Sequence, residues 1–177
     1  MEFPRPQLDL KPPPDSEFGP EKGWTKPKRL VAELFAGRFV YGDDDPERYK
    51  IVYYVREADG HLVGKAWFGP KTEGPPGHAH GGSMAALLDE AMGAISWESG
   101  HTTLAARFNT RFKKSLILGT LTYFEAWVDN VNGRKVTIQA KLHDAQGETY
   151  AEADGLFIIL SAEHFTKLAT AHQGDTA

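Results

Sequence analysis

The sequence predicts an α+β domain in which an antiparallel sheet wraps around one long buried helix, with an extended proline-rich N-terminal arm in front. Strand-like runs and tight turns fill most of residues 49–160. The segment 83–99 interrupts them with the strongest helical pattern in the chain. Residues 1–27 carry seven of the 11 prolines. A chain of 177 residues is long enough for one such domain and a tail.

Residues 1–27 are predicted to form the extended arm, and residues 28–177 the domain. Proline fixes φ and removes a backbone donor, so neither a regular helix nor a central strand fits the arm. Apolar side chains could fasten it along the domain surface, and these are Phe3, Leu8, Leu10, Phe18 and Trp24. The sequence leaves open whether the arm packs or stays disordered.

Residues 28–41 have the pattern of a short helix that leads into a strand. The next two runs, 49–57 and 61–69, are rich in β-prone residues and flank Asp59-Gly60, which is a strong hairpin signal. A loop rich in glycine and proline follows at 69–82, and we expect it to be flexible.

Residues 83–99 predict the central helix, with Ser83 as its N-cap. Apolar residues occupy most of its circumference, which indicates a buried helix and not a surface one. One sheet cannot cover such a helix on every side. We therefore expect a second subunit to complete its burial.

Strand-like runs follow the helix at 103–113, 120–131, 134–144 and 147–160. Between the second and third of these runs, Asn132-Gly133 predicts a type I′ hairpin turn. Ser161 is expected to open a short C-terminal helix.

Composition excludes several classes of function. The formal net charge of -4 gives no basic excess of the kind that nucleic-acid binding needs. The chain has no cysteine, which rules out disulfides, thiolate metal sites and a cysteine nucleophile, and which fits a reducing compartment. The first residues lack an apolar signal core, and no stretch reaches the roughly 20 apolar residues of a membrane span. We therefore expect a soluble cytoplasmic protein without nucleic-acid or membrane partners.

The segment 77–93, GHAHGGSMAALLDEAMG, joins the glycine-rich loop to the central helix. Unpaired amides at a helix start carry partial positive charge and glycines let a substrate approach them, so Gly81 and Gly82 could hold an oxyanion. Asp89 lies two turns further on, between small residues at i−4 and i+4 that leave room for a substrate. Amides and an acid on one rigid helix suit acyl transfer. An acid in mid-helix can equally be a solvated residue or a cap for a partner's backbone.

The motif His80-Gly81-Gly82, with Asp89 nine positions after the histidine, resembles the signature of hotdog-fold thioesterases. The resemblance covers residues 49–160 and is closest to the phenylacetic-acid-degradation thioesterases and the mammalian thioesterase superfamily members. It implies hydrolysis of an acyl-CoA thioester, with Asp89 as general base or nucleophile. It also implies that the Gly81 N–H, next to Gly82, polarises the thioester carbonyl and that His80 shapes the loop. No metal or prosthetic group is needed, and the family's interfacial sites imply a homodimer or a dimer of dimers.

One position departs from the family pattern. Relatives commonly carry threonine or serine on the strand after the helix, seven residues before an aromatic, and counting back from Phe112 gives Ala105. If that hydroxyl orients water in relatives, this chain needs another group or reacts more slowly. Thr103 and Asn109 lie nearby in the sequence, but nothing in the sequence shows that either of them substitutes.

A run of basic residues on the strand after the helix could cradle the phosphates of coenzyme A. The candidate substrate-binding residues are His78, Arg107, Asn109, Arg111 and Lys113, with Arg111 as the first choice. The same run can be the polar face of a half-buried strand, because apolar and polar residues alternate through it. His78 and His80 also form an H-x-H pair. A zinc site needs three or four protein ligands and the other histidines are distant in sequence, so no metal is predicted.

Two other functions stay open. A non-catalytic acyl-CoA-binding module is compatible with the missing hydroxyl at Ala105. A hotdog enoyl-CoA hydratase or dehydratase pairs an acid with a histidine, and residues 83–99 contain no D-x-x-x-x-H arrangement of that kind. The acyl chain, the carrier and the choice between dimer and tetramer cannot be read from the sequence.

Overall fold

The computed structural model describes residues 10–29, 39–40 and 45–170, and it confirms the predicted α+β architecture of a sheet with a long helix packed against it. The strands are β1 (Trp24–Thr25), β2 (Tyr49–Arg56), β3 (Leu62–Phe68), β4 (Thr103–Phe112), β5 (Leu121–Asn132), β6 (Lys135–His143) and β7 (Thr149–Ile159). The helices are α1 (Gly81–Glu98) and α2 (Ala162–Thr170). The helix and strand predicted for 28–41 lie largely outside the described residues. Within the described part, no helix has the length and apolar character needed to cross a membrane.

The seven strands form one antiparallel sheet in the order β1-β2-β3-β5-β6-β7-β4. The predicted hairpin of β2 and β3 is confirmed, with Val55 opposite Leu62 and with Gly60 of the turn at a φ of 75°. β4 follows α1 in sequence but lies at one edge of the sheet, where its neighbour among the described strands is β7.

The turn between β5 and β6 differs from the predicted type I′ turn. Asn132 pairs with Lys135 as the last residue of β5, so the two turn residues are Gly133 and Arg134. Only Gly133 has a positive φ, 58°, whereas a type I′ turn requires two positive φ angles. A glycine at the first turn position is what a type II′ turn requires, and this arrangement keeps Asn132 in the ladder.

α1 begins at Gly81, two residues before the predicted start, and its N-cap is His80 and not Ser83. His80 has extended backbone angles, and its ring Nδ1 accepts a hydrogen bond from the Gly82 N–H at 2.8 Å. The Ser83 Oγ donates to the His80 carbonyl oxygen at 2.7 Å, within the first turn. The prediction of a serine cap is wrong because an imidazole nitrogen takes the place of the usual hydroxyl oxygen.

α1 packs its apolar side on the inner face of the sheet, against β4, β5, β6 and β7. Leu87, Leu88 and Met92 are fully buried there, and truncation of one such side chain to alanine costs about 2–5 kcal/mol. The other side of the helix is more open and carries mostly small residues at helical spacing, namely Ala85, Ala86, Asp89, Gly93 and Trp97. The predicted burial of the helix is therefore confirmed for one side, and the open side faces a groove between α1 and β4.

The described part of the arm lies across the outer face of β2 and β3, so the arm is packed. Side chains of the sheet donate hydrogen bonds to main-chain oxygens of the arm. These bonds run from Lys65 Nζ to the Glu17 and Gly19 oxygens (3.0 and 2.9 Å), from Lys50 Nζ to the Pro13 oxygen (2.8 Å) and from the Tyr54 hydroxyl to the Phe18 oxygen (2.7 Å). β3 has α1 on its inner side and the arm on its outer side, and all its residues are buried.

Candidate active site

The loop that precedes α1 is held by hydrogen bonds, which corrects the expectation of a flexible loop. It contains a 3-10 turn at Pro70–Thr72 and two isolated β-bridges. The His80 N–H donates to the Thr72 carbonyl oxygen at 2.7 Å. Gly74 permits this close passage, because a Cβ at position 74 would lie 2.7 Å from the His80 Cα. His80 is therefore fixed in place before the helix begins.

Only one of the two predicted oxyanion amides is open. The Gly82 N–H is bonded to the His80 ring. The Gly81 N–H has no hydrogen-bond partner among the residues that the structure describes. A Cβ at position 81 would lie 3.2 Å from the Phe112 ring, so a side chain there would press on the ring and cover the approach to the amide.

Asp89 lies on the open side of α1 and is exposed in the single chain. It makes no hydrogen bond or ion pair with any residue of the described ranges. Partial burial of its carboxylate against the surrounding protein raises its pKa above the ordinary value. An unpartnered carboxylate with a raised pKa beside a cleft is a candidate general base or nucleophile.

Two clefts occupy the groove between α1 and β4, and Asp89 and Ala105 line both of them. The N-terminal cleft has a volume of about 400 Å³, and its other lining residues include Gly82, Ala85, Ala86, Arg107 and Phe108. The C-terminal cleft has a volume of about 200 Å³, and its other lining residues include Glu90, Gly93, Ala94, Trp97, Leu104 and Phe157. Asp89 thus stands where the two clefts meet.

The structure places Ala105, where the family pattern predicts a threonine or serine, on the wall of the groove. It lies next to a β-bulge of β4 and shares the lining of both clefts with Asp89. Of the two polar residues nearby in the sequence, Thr103 lines the C-terminal cleft. Asn109 instead donates to the Asp154 carboxylate at 2.8 Å and lines neither cleft.

Thr103 belongs to a buried hydroxyl pair that the sequence did not reveal. Its Oγ1 donates to the Ser96 Oγ at 2.9 Å, and the Ser96 Oγ donates to the His101 carbonyl oxygen at 3.2 Å. Both hydroxyl side chains are buried. The bonds tie the end of α1 to the start of β4, where the two elements form the walls of the C-terminal cleft. No sequence motif predicts a bond between two hydroxyls on either side of a helix end, so the pair is visible only in the structure.

The basic candidates on β4 fall into two groups. Arg111 forms ion pairs with Asp154 at 2.9 Å and with Glu152 at 3.6 Å, and Lys113 pairs with Glu152 at 3.2 Å. Arg107 makes none of these ion pairs and lines the N-terminal cleft. Arg107 and Asp89 therefore line the same cleft, whereas Arg111, the first choice from the sequence, is engaged by acids of β7.

His78 lies near the helix start but lines neither cleft, and its Nδ1 is 2.9 Å from the Pro76 carbonyl oxygen. Among the described residues, the cluster with metal-like spacing lies elsewhere and consists of Asp59, His61 and Glu125. Both of its carboxylates are ion-paired with Arg56, and Glu125 also pairs with Lys141. Cationic side chains therefore already neutralise this cluster.

A third cleft, of about 470 Å³, opens on another side of the helix start. Its lining residues include Phe39, Arg48, Lys71, Glu73 and His80. Tyr49 also lines it, and its hydroxyl donates to the Ser83 carbonyl oxygen at 3.0 Å and so anchors the first turn of α1. Burial raises the pKa of Tyr49 to about 12, so it remains a neutral donor. The lining comes from separate segments of the chain, so no local sequence pattern predicts this cleft.

The Gly81 amide and Asp89 are too far apart along α1 to contact one thioester carbonyl directly. Eight residues at about 1.5 Å each separate them by about 12 Å along the helix axis. A hydrogen bond to the carbonyl oxygen spans about 3 Å, and attack on the carbon starts from about 3–3.5 Å. The expectation that one helix supplies both groups to the same carbonyl therefore does not hold for direct attack.

The chain is similar to known thioesterases. Residues 76–151 match the family model described as the thioesterase superfamily. The chain is 30% identical over 126 residues to the acyl-coenzyme A thioesterase THEM4 of Bos taurus, and the match covers 71% of this chain and 52% of that protein. The chain thus spans about half the length of this curated relative.

Solved structures with the same fold include the BH2602 protein from Bacillus halodurans, which was crystallised with CoA. Its TM-score is 0.55 and its identity 27%, and the match covers 63% of this chain and 74% of that chain. The PaaI protein of the E. coli phenylacetic acid degradation operon has a TM-score of 0.57 over 64% of this chain and 80% of that chain. Its identity is 17%, so this likeness concerns the fold alone.

Proposed function

We propose that this chain, which contains a thioesterase-superfamily domain with the hotdog fold, hydrolyses acyl-CoA thioesters to a free acid and CoA. The observation that carries the proposal is the position of Asp89. This acid of the HGG-x6-D pattern lies partly desolvated, without a partner among the described residues, where two clefts of the groove meet. The name of the matched THEM4 relative and the CoA bound to BH2602 support the same substrate class.

Asp89 is proposed to act in its ionised form. As general base it takes a proton from water while the water oxygen attacks the thioester carbon; the C–S bond then breaks and the CoA thiolate takes up a proton. As nucleophile it attacks the carbon itself, and the C–S bond breaks with loss of the CoA thiolate, which takes up a proton. Water then hydrolyses the resulting mixed anhydride to the free acid and the Asp89 carboxylate. Its raised pKa makes Asp89 a stronger base than an ordinary surface carboxylate. The Gly81 N–H is proposed to stabilise the oxyanion, while His80 fixes the first turn through Gly82.

A homodimer is the proposed active unit. β4 is an edge strand with Leu104 51% and Phe112 53% exposed, and an unpaired edge is a ready template for a second copy. Direct attack by Asp89 also requires an oxyanion donor that its own helix start is too distant to provide. A two-fold axis between antiparallel α1 helices would supply the Gly81 amide of a second copy. A mass measurement by light scattering distinguishes the dimer from a monomer and from a dimer of dimers.

Coenzyme A is the proposed carrier, with Arg107 as the first contact for its phosphates. Arg107 lines the N-terminal cleft beside the proposed catalytic acid. Arg111, Lys113 and Asn109 would have to exchange their bonds to acids of β7 for bonds to a phosphate, so they rank behind it. His78 ranks behind it too, because it lines neither cleft of the groove.

A non-catalytic acyl-CoA-binding protein is the second candidate. The observation in its favour is Ala105, which gives the wall beside Asp89 an alanine where the family pattern predicts a hydroxyl. A hotdog hydratase ranks third, because Asp89 has no histidine beside it in either cleft.

Release of free thiol from acyl-CoA, followed with a thiol reagent, tests the proposed function. Asp89→Asn should lower kcat by about 10²-fold or more, because it removes the base while preserving shape. Asp129→Asn, which changes an exposed aspartate on β5, is the matched control and should stay near the parental rate. Circular dichroism checks that both variants are folded.

The same assay set separates the alternatives. Near-parental kcat in folded Asp89→Asn excludes Asp89 as the catalytic acid. Saturable acyl-CoA binding without thiol release by the parent protein favours the binding module. Hydration of crotonyl-CoA favours the hydratase.

A further inference from the structure

The C-terminal cleft has an open floor at Gly93. A Cβ built at this position meets no atom from outside this stretch of the helix within 4 Å, among the residues that the structure describes. Glycine destabilises a helix interior relative to alanine, and no described neighbour requires a glycine here. The space above Gly93 therefore suits something that is not part of this chain's own packing.

Aromatic side chains close the cleft away from Asp89. Trp97 is the lining residue of α1 farthest from Asp89, eight residues or about 12 Å along the helix axis. Its indole makes an edge contact with Phe165 of α2, with ring centroids 5.8 Å apart and planes at 66°. Phe157, which is buried, lines the same cleft from β7. The result is a slot that starts at the proposed catalytic acid and ends at an indole ring, with small and aromatic residues along much of its lining.

Charge distinguishes this slot from the N-terminal cleft. Asp89 lines both clefts. The other charged lining residue is Arg107 in the N-terminal cleft and Glu90 in the C-terminal cleft. An arginine attracts the phosphates of CoA, and the described lining of the C-terminal cleft includes no lysine or arginine that could do the same. A thioester held at Asp89 therefore directs its CoA toward Arg107 and its acyl chain toward Trp97.

We propose, on the premise of the thioesterase function above, that the C-terminal cleft binds the acyl chain and that Trp97 sets the longest chain that fits. The fitting class is a straight, saturated, medium-length acyl group. A carbon–carbon bond of about 1.5 Å advances an extended chain by roughly 1.25 Å per carbon, so about 12 Å holds roughly eight to ten carbons. A longer chain meets the indole ring of Trp97, which Phe165 contacts from α2.

The test is kcat/KM for straight-chain acyl-CoAs from acetyl to hexadecanoyl, measured on the full chain and three variants. The parent should peak at medium chains and fall beyond about ten carbons. Gly93→Leu fills the floor and should lower the decanoyl-to-acetyl ratio of kcat/KM by about tenfold. Gly93→Ala should give a smaller drop in a protein at least as stable as the parent, because alanine is the better helix former. Trp97→Ala should shift the decrease in kcat/KM to longer acyl chains.

Two outcomes in this assay overturn the proposal. The first is an unchanged chain-length profile in folded Gly93→Leu and Trp97→Ala. The second is dissociation of the oligomer by Gly93→Leu in light scattering, because Gly93 then lies in a subunit contact. If the parent releases no thiol, the proposed function fails by itself, and the acyl site is tested by calorimetric binding of decanoyl-CoA. An unchanged affinity in Gly93→Leu then overturns the acyl site as well, whereas a weaker affinity supports it.

Discussion

Lys65 provides a quantitative test of how the arm is fastened to the sheet. Lys65 is 5% exposed, and its ammonium donates to the Glu17 and Gly19 carbonyl oxygens and pairs with Glu21 at 2.6 Å. Lys65→Met keeps the apolar stem but leaves these acceptors without their donor. A hydrogen bond from a charged group contributes about 1.5–3 kcal/mol, and relief of the buried ammonium's desolvation offsets part of the loss. We expect a net loss of about 2–3 kcal/mol.

Thermal unfolding measures this loss. For a chain of this length, 1 kcal/mol shifts Tm by about 2–4 °C, so Lys65→Met should lower Tm by about 4–12 °C. The control is Lys167→Met, which removes an exposed i,i+4 ion pair with Glu163 and should cost about 0.5 kcal/mol or less. Limited proteolysis should cut the arm of Lys65→Met faster than the arm of the control. Equal Tm values for the two variants would refute the idea that Lys65 fastens the arm.

Two further predictions concern pH. Because partial burial raises the pKa of Asp89, kcat/KM should fall as pH decreases through a midpoint above the pKa of an ordinary aspartate. A kcat/KM that does not change across the acidic pH range counts against Asp89 as the base. For Glu125, burial alone would raise the pKa, but hydrogen bonds from His61, Lys141 and Arg56 lower it to about 2. The folded pKa lies below the ordinary 4.5, so the charged carboxylate contributes stability above pH 4.5 and loses it as pH falls toward 2. Glu125→Gln should therefore cost about 1–3 kcal/mol at pH 7 and less at pH 3 in chemical unfolding, and a pH-independent difference would contradict this.

The hairpin of β2 and β3 and the body of α1 were predictable because their signals are local. Asp59-Gly60 lies between two β-prone runs, and the apolar pattern of 83–99 has helical spacing. A two-residue turn and a helical repeat depend mainly on neighbours in sequence, so a single sequence carries the information.

The details of the candidate site depend on contacts between distant segments. His80 caps α1 with its ring, a role for which serine is the common choice, so the helix start was misplaced by two residues. The ion pairs of Arg111 with β7 require the register of β4 against β7, which no local pattern gives. The separation of Gly81 from Asp89 follows from helical rise once both are known to lie on α1.

The hydrogen bonds that hold the arm constrain the path of its main chain but not the identity of its residues. Four of its contacts to the sheet use main-chain oxygens, those of Pro13, Glu17, Phe18 and Gly19. A peptide oxygen is the same for every amino acid, so substitutions that keep the path of the main chain, including the 3-10 turn at Asp15–Phe18, leave these acceptors in place. An insertion or deletion of one residue displaces each following oxygen by about 2 Å in the 3-10 turn and about 3.3 Å in extended chain, and takes it out of reach of its donor. Homologous arms should therefore vary freely in composition yet keep a constant spacing, the reverse of the behaviour of most surface loops.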